Sequence, residues 1–279
     1  MSAFCFKNMK LTRRKFILSG IWATLSAVFA DAFWFEKFFI ETNEYFFKGT
    51  DSIKDPIKIL QVSDLHLQYL GYTEKNLAKK INILKPDLIC FTGDSIDKRE
   101  HSIVLDEFLK LIDHKILKAA ILGNWEYWGN VEIPLLKEIY ARHNCELLIN
   151  ESQRFIIQGR SISITGIDDF IGGNSDFSKA VSTLQKSDLH IVLTHCPQHF
   201  NLICESSPKL PIDLVLSGHT HGGQITLLGI APIKPPGSGR FLKGWYHEND
   251  VPLYVSKGVG TSILPIRFGA RAEIALFHI

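Results

Sequence analysis

From Ile57 onward one pattern recurs along the chain: a short, unbroken apolar run that ends abruptly in polar residues or glycine. IKILQV (Ile57–Val62) leads into Ser63-Asp64-Leu65-His66, and DLICFT (Asp87–Thr92) leads into Gly93-Asp94. KAAIL (Lys118–Leu122) leads into Gly123-Asn124, HIVLT (His190–Thr194) into His195, and DLVLS (Asp213–Ser217) into Gly218-His219-Thr220-His221. Apolar runs without polar interruption, bounded by turn residues, predict strands buried on both faces. Between some of them the spacing turns helical. Glu74–Leu84 carries Leu77, Ala78, Ile81 and Leu84 on one face and stops before Pro86, and Ile103–Ile112 is similar. Further strands are predicted over Arg154–Ile157, Ser161–Gly166, Leu253–Ser256 and Glu273–His278. No internal repeat or low-complexity linker divides them. The pattern predicts one α/β domain with two sheets' worth of strands.

The N-terminus reads differently. Lys7, Lys10, Arg13, Arg14 and Lys15 precede an apolar run from Phe16 to Ala30, which reaches Phe35 if Asp31 is tolerated. That length could span a bilayer, with the basic flank on the cytoplasmic side. Two readings stay open. One is a retained anchor. The other is an export signal, because Thr12 to Leu18 (TRRKFIL) looks like a twin-arginine motif and Val28-Phe29-Ala30 or Ala30-Asp31-Ala32 offers a cleavage site. A buried helix of the domain is disfavoured by the basic flank. Residues 1–35 are therefore set apart from a domain over 36–279. The aromatic stretch Phe33–Lys48 suits either an interfacial helix or an edge strand or helix packed on the body. Either way, a membrane-associated protein is expected, with its side, cytoplasmic or exported, open.

Composition narrows the class. With 46% hydrophobic and 22% charged residues the chain can build a core. A net charge of +2 gives no basis for a nucleic-acid partner. The cysteines Cys5, Cys90, Cys145, Cys196 and Cys204 are irregularly spaced and predict reduced thiols rather than a disulfide framework.

The strand ends carry the chemistry. One Asp or His at such a place is ordinary turn chemistry. Asp64, His66, Asp94, Asn124, His195, His219 and His221 at successive ends, several beside glycine, form a constellation. Ligand sites of open α/β folds collect where strands end. Carboxylate, imidazole and amide donors together suit Mn, Fe, Zn or Co, with Mn favoured. There are enough groups for two ions, which at roughly 3.5–4 Å apart acidify a water and clamp a phosphoryl group.

Taken in order, D-L-H, G-D, G-N-x-E, T-H and G-H-T-H-G-G-Q resemble the motif set of the calcineurin-like metallophosphoesterases, from Ile57 to the C-terminus. Gly258 to Ser262 with Leu264 to Arg267 looks like the membrane-linked or exported bacterial phosphodiesterase branch. The resemblance implies a four-layer α/β/β/α sandwich, here with an N-terminal hydrophobic segment. It implies a hydrolase that uses two divalent metal ions on a phosphate ester or diphosphate. By position, Asp64, His66, Asp94 and His221 would hold one ion. Asp94, Asn124, His195 and His219 would hold the other, with Asp94 bridging, and Asp94, Asn124 and His219 are the residues expected to matter most for catalysis.

One departure bears on substrate. The family usually reads G-N-H-[DE], whereas this chain has Gly123-Asn124-Trp125-Glu126. Tryptophan donates a hydrogen bond but supplies no proton near neutral pH. Either activity is reduced, or the leaving group is good, as in a diphosphate. The UDP-2,3-diacylglucosamine diphosphatases of lipid A synthesis belong to this superfamily, lack that histidine and act on a membrane-borne substrate. A lipid-linked substrate of that kind is the best specific expectation. An exported, broad-range phosphodiesterase and a non-catalytic metal-binding scaffold are the alternatives, the last disfavoured because all seven ligand positions are filled.

Other residues carry less. His199 reads as a surface-loop residue and Cys196 as packing. Arg267 and Arg271 suit a phosphate contact or a solvated turn. The Pro/Gly-rich loop from Ile230 to Gly244 reads as a surface excursion, with covering the site as the alternative. Trp125, Tyr127 and Trp128 suit either a stacking surface or core.

Overall fold

The computed structural model describes residues 12–47, 55–206, 210–226 and 229–279. Lys7, Lys10, Cys5 and Lys48 lie outside them. Helix α1 (Arg13–Ala30) continues through a π-helical turn at Asp31–Phe35 into the short α2 (Glu36–Phe38). None of the residues of α1 is buried. Strand β1 (Glu41–Phe46) follows, so the aromatic stretch divides between a helix end and an edge strand.

The body alternates strands and helices: β2 (Lys58–Val62), α3 (Tyr72–Leu84), β3 (Leu88–Thr92), α4 (Ser102–Lys110), β4 (Leu117–Ile121), α5 (Asn124–Trp128), α6 (Ile133–Arg142) and β5 (Cys145–Leu147). Then come β6 (Glu151–Ile157), β7 (Arg160–Gly166), α7 (Phe177–Ser182), β8 (Leu189–Leu193), α8 (Phe200–Ser206), β9 (Leu214–Ser217), β10 (Gly244–Glu248), β11 (Val251–Val255) and β12 (Glu273–His278). They form two six-stranded sheets, ordered β1-β12-β2-β3-β4-β5 and β10-β11-β9-β8-β7-β6. The strands β2 to β5 run parallel, as do β7, β8, β9 and β11.

Period-two alternation sorts each strand between layers. Ile59 joins an apolar cluster with Ile191, Leu193 and Leu216 between the two sheets, while Leu60 packs with Leu77, Ile81 and Phe108 under the helices. A third cluster, with Phe200, Ile203 and Val215, lies under α7 and α8. The order is helix, sheet, sheet, helix, which makes the predicted four-layer sandwich. Each fully buried Ile or Leu contributes about 1.5–3 kcal/mol. Helix α3 begins where Glu74 accepts the Gly71 amide at 2.9 Å and ends at Lys85, left-handed at φ 48°, before Pro86.

Gln61 is the polar exception between the sheets. Its amide donates to Thr92 Oγ1 (3.0 Å) in its own sheet and to the Ser217 carbonyl (2.9 Å) in the other. It ties the sheets together one step before the strands end. The C-terminal ends of β2, β3 and β4 therefore face those of β8 and β9 across a fixed gap.

Candidate metal centre

Those five ends bring all seven predicted ligands together, each of them buried. Ligand atoms of Asp64, His66 and His221 lie within 4.8 Å of one another, and so do those of Asp94, His195 and His219. One oxygen of Asp94, Oδ2, is 3.0 Å from His195 Nε2 and 3.8 Å from His66 Nε2, so it faces both groups. His66 Nε2 and His221 Nε2 are 3.1 Å apart, and His219 Nδ1 is 3.3 Å from His195 Nε2.

The outer nitrogens assign the tautomers. His195 Nδ1 donates to the Thr92 carbonyl at 2.7 Å, His219 Nε2 to the Pro236 carbonyl at 2.6 Å, and His66 Nδ1 to Asp97. In the neutral form of each ring the inward nitrogen then keeps its lone pair, the arrangement a metal-ligating histidine needs. His221 differs: its Nδ1 faces the Arg267 guanidinium at 3.4 Å. Burial, then His66 and Arg267, hold its pKa well below that of free imidazole, so the ring is neutral. Burial opposes charge on His195 and His66 too. There the Asp94 carboxylate, for His195, and the Asp97 hydrogen bond, for His66, outweigh it and raise both pKa values. Burial also works against the charged Asp94 carboxylate, yet His195 and His66 hold its pKa below the usual range.

Asn124 supplies an independent test of fit. Its Oδ1 is buried and, among the described residues, has no hydrogen-bond partner. A buried amide oxygen without a donor costs about 1–3 kcal/mol. A cation beside His195 and His219 would satisfy it. The donor set of carboxylate, imidazole and amide oxygen suits divalent cations of the Mn, Fe, Zn and Co kind.

The local sequence explains why the carboxylates stand where they do. Asp64 accepts the His219 amide on both oxygens (3.0 and 3.2 Å), and Asp94 Oδ1 accepts the Trp125 amide at 2.9 Å. A β-carbon on Gly218 would run into Ser63 Oγ and Asp64 Oδ2, and one on Gly123 into Asp94 Oδ1. These two glycines let the backbone close on the ligands.

Two positioning groups escape a reading of the sequence alone. Glu126 accepts four backbone amides, those of Ser95 (2.6 Å), Gly123 (2.9 Å), Asp94 (3.2 Å) and Ile96 (3.3 Å). Burial and then Asp94 push its pKa up to about 7, against the pull of those amides. Its spacing from Gly123, three residues, is the capping-box signal that could have revealed it. Asp97, which orients His66, has no such signal.

Several readings need correction. His199 is buried, not on the surface, and stacks on Phe170 at 5.0 Å. Arg267 is fully buried and donates to the carbonyls of Gly260 (2.5 and 3.0 Å) and Ala270 (2.8 Å), so it is neither a solvated turn nor a phosphate contact. Arg271 pairs with Glu41 at 2.9 Å and lies over the Phe35 ring. The loop after Ile230 is part of the site, because Pro236 holds His219 and the Leu242 carbonyl accepts Thr220 Oγ1 at 2.5 Å. Cys196 is buried and donates to Asp169, and Cys90, Cys145 and Cys204 are also buried free thiols. The Trp125 ring stands edge-on to His66 at 6.0 Å, Tyr127 donates to Asp168, and Trp128 is exposed.

Comparison with known proteins bears on the family. The model of the calcineurin-like phosphoesterase family matches residues 57–223. The uncharacterized metallophosphoesterase YkuE of Bacillus subtilis is 33% identical over 96% of this chain and 97% of its own length. A Bos taurus protein named as a transmembrane protein with metallophosphoesterase domain is 29% identical over 78% of this chain and 52% of its own. Among solved structures, TT1561 of Thermus thermophilus aligns over 73% of this chain and 90% of its own at 14% identity, with a TM-score of 0.49. The chain is a metal-dependent hydrolase and belongs to the calcineurin-like phosphoesterase family.

Proposed function

We propose that the protein cleaves a phosphodiester or diphosphate bond with two divalent cations, Mn²⁺ favoured, and that its substrate is a membrane-borne nucleotide lipid of the UDP-2,3-diacylglucosamine kind. Asp64, His66, Asp94 and His221 would hold one cation, and Asp94, Asn124, His195 and His219 the other, with Asp94 Oδ2 shared. The observation that carries the two-cation reading is the buried Asn124 Oδ1, without a partner among the described residues, in the groove it lines with Asp94 and His219, together with imidazoles whose outer nitrogens are already engaged. Bound cations of this kind supply charge stabilisation at phosphorus and lower the pKa of water. The chain's own part is to fix the donors, exclude bulk water and hold His219 and His221 neutral.

Two observations support the lipid substrate. The stretch Arg13–Phe35 is long and apolar enough to cross a membrane. Trp125 occupies the place of a proton donor, which suits a phosphate leaving group more than an alkoxide. A second reading, an exported phosphodiesterase of broad range, is favoured by the Arg13-Arg14 pair that opens α1.

The test is hydrolysis by the full chain with and without Mn²⁺, on UDP-2,3-diacylglucosamine and on bis-p-nitrophenyl phosphate, with Asp94→Ala as control. Turnover of the lipid, lost in the variant, is expected. Turnover of the generic diester without preference for the lipid would favour the second reading. Silence on both with cations bound would mean a scaffold.

A further inference from the structure

The metal ligands form the floor of an open groove of about 580 Å³, and its walls have a different character. Ile233 (79% exposed), Ile263 (83%), Leu264 (50%) and Trp128 (53%) stand at its mouth. Pro232, Pro235 and Pro236 line the wall between, and Asp94 on the floor is the only acidic residue among those described as lining it. Large side chains this exposed, grouped around one opening, mark a binding surface. The lip is also held in place. Gln224, three residues after His221, donates to the Leu264 carbonyl at 2.6 Å and accepts the Ser262 amide at 3.3 Å. Pro236 is fixed to His219.

The same lip adjoins the foot of the N-terminal helix. The Arg267 amide donates to the Ala32 carbonyl at 3.0 Å, and the Ala272 amide to that of Glu36 at 3.0 Å. Phe38 shares a cavity of about 270 Å³ with Ile263 and Pro265. Trp34, Phe35, Phe38 and Phe39 are exposed beside it. Lys234 sits within the lip, between Ile233 and Pro235, and its ammonium donates to the Gly239 carbonyl at 2.9 Å, which adds to the hold on the lip.

We propose that the lip formed by Pro232–Pro236 and Ser262–Leu264 docks on the bilayer that the N-terminal helix enters, so that the groove draws its phosphate ester from a lipid in that membrane. This rests on the hydrolase reading of the metal centre and assigns the apolar walls to the lipid part of the substrate. A soluble, charged substrate gains nothing from four exposed apolar side chains at the entrance, whereas a lipid leaving the bilayer stays shielded from water along them.

The test uses the full chain in nanodiscs of phosphatidylethanolamine and phosphatidylglycerol. Ile263→Cys, in a Cys5→Ser background, is labelled with an environment-sensitive fluorophore, and doxyl lipids serve as quenchers. Lys115→Cys is the control, exposed just before β4 at the end of the sheet away from the site. Quenching at position 263 and none at 115 is expected, and equal, weak quenching at both would overturn the docking. In parallel, turnover of hexadecyl p-nitrophenyl phosphate in the nanodiscs is compared with that of bis-p-nitrophenyl phosphate. The double variant Ile233→Glu, Ile263→Glu should lower the ratio of lipid to soluble turnover about tenfold. An unchanged ratio would overturn the proposal. If the wild type hydrolyses neither ester, the hydrolase reading fails, while the quenching still decides whether the lip meets the membrane.

Discussion

Glu126 touches no reacting atom, yet its removal should be among the most damaging single changes in the protein. Its carboxylate is buried and accepts the amides of Asp94, Ser95, Ile96 and Gly123. Glu126→Ala leaves all four donors without a partner in a place where water enters poorly. One stranded buried donor costs about 1–3 kcal/mol. Water filling the vacated space recovers part of this, so the expected loss is about 4 kcal/mol. For a domain of this size that lowers Tm by about 10 °C. Glu126→Gln separates the contributions. One amide oxygen still accepts two of the amides, while the new NH₂ faces the other two as donor against donor, so about half the loss is expected. Because the same amides hold Asp94 and the first turn of α5, turnover should fall about 10- to 100-fold in the alanine variant. The assay is thermal and urea unfolding of the full chain, with metal content and diester turnover measured on the same samples. The expected order is wild type, then Gln, then Ala in both stability and turnover. An alanine variant within about 1 kcal/mol of wild type, or turnover lost without loss of stability, would refute this account of the carboxylate.

Asp97→Asn leaves His66 a neutral partner and should weaken metal affinity about 10- to 100-fold with little change in Tm, read by competition with a chelator. Trp125→His restores a proton donor beside the ligands. It should raise turnover of alkyl diesters with poor leaving groups by about tenfold or more, and p-nitrophenyl esters much less. The His199 pKa is held down to about 4, chiefly by burial, from the ordinary histidine value of 6.5. Between those values the unfolded chain binds a proton that the folded chain refuses, so stability falls as pH drops from 6.5 to 4, by up to about 3 kcal/mol. Urea unfolding of His199→Phe should show a flatter pH profile than wild type over that window.

What the sequence makes legible follows from burial on two faces. Leu88–Thr92 is buried at every position, so it reads as an unbroken apolar run and its end is plain. The ligand set is legible for the same reason, because each ligand follows such an end. Edges hide. Strand β10, GWYHE, is half-exposed throughout and mixes polar with aromatic residues, and β5 is three residues long. Helix α5 has five residues and depends on Glu126 more than on its own spacing. The environment of His199 is illegible because it depends on a distant partner, the Phe170 ring, and that of Arg267 because nothing in the sequence says that its guanidinium turns inward onto the Gly260 and Ala270 carbonyls. Prolines announced the loop after Ile230, but nothing local says that a carbonyl within it will accept a hydrogen bond from His219.

Five of the seven ligands lie in the left-handed region: Asp64 (φ 52°), His66 (45°), Asp94 (52°), His219 (72°) and His221 (51°). Such residues cost of order 1 kcal/mol each and persist only where the surroundings over-determine them. Here the surroundings do so. The Asp64 amide donates to the Gly93 carbonyl at 3.1 Å, that of His66 to Asp94 at 3.0 Å, and that of Leu67 to Ser95 at 2.9 Å, so backbone pairing continues past the ends of β2 and β3. Within the second sheet, on the other side of the gap, Gly218 donates to His195 at 3.1 Å, and Ser256 to Ser217 at 2.8 Å. The ligand loops are therefore shaped by the two sheets and not by what binds between them. This leads to a definite expectation for metal removal. Chelation should abolish turnover, and re-addition of Mn²⁺ should restore it within mixing time, with no slow refolding phase. Far-UV circular dichroism should not change, and amide exchange of residues 63–67 and 93–96 should remain slow. Rapid exchange at those amides on chelation would show that cations assemble the loops, and that the left-handed conformations depend on them.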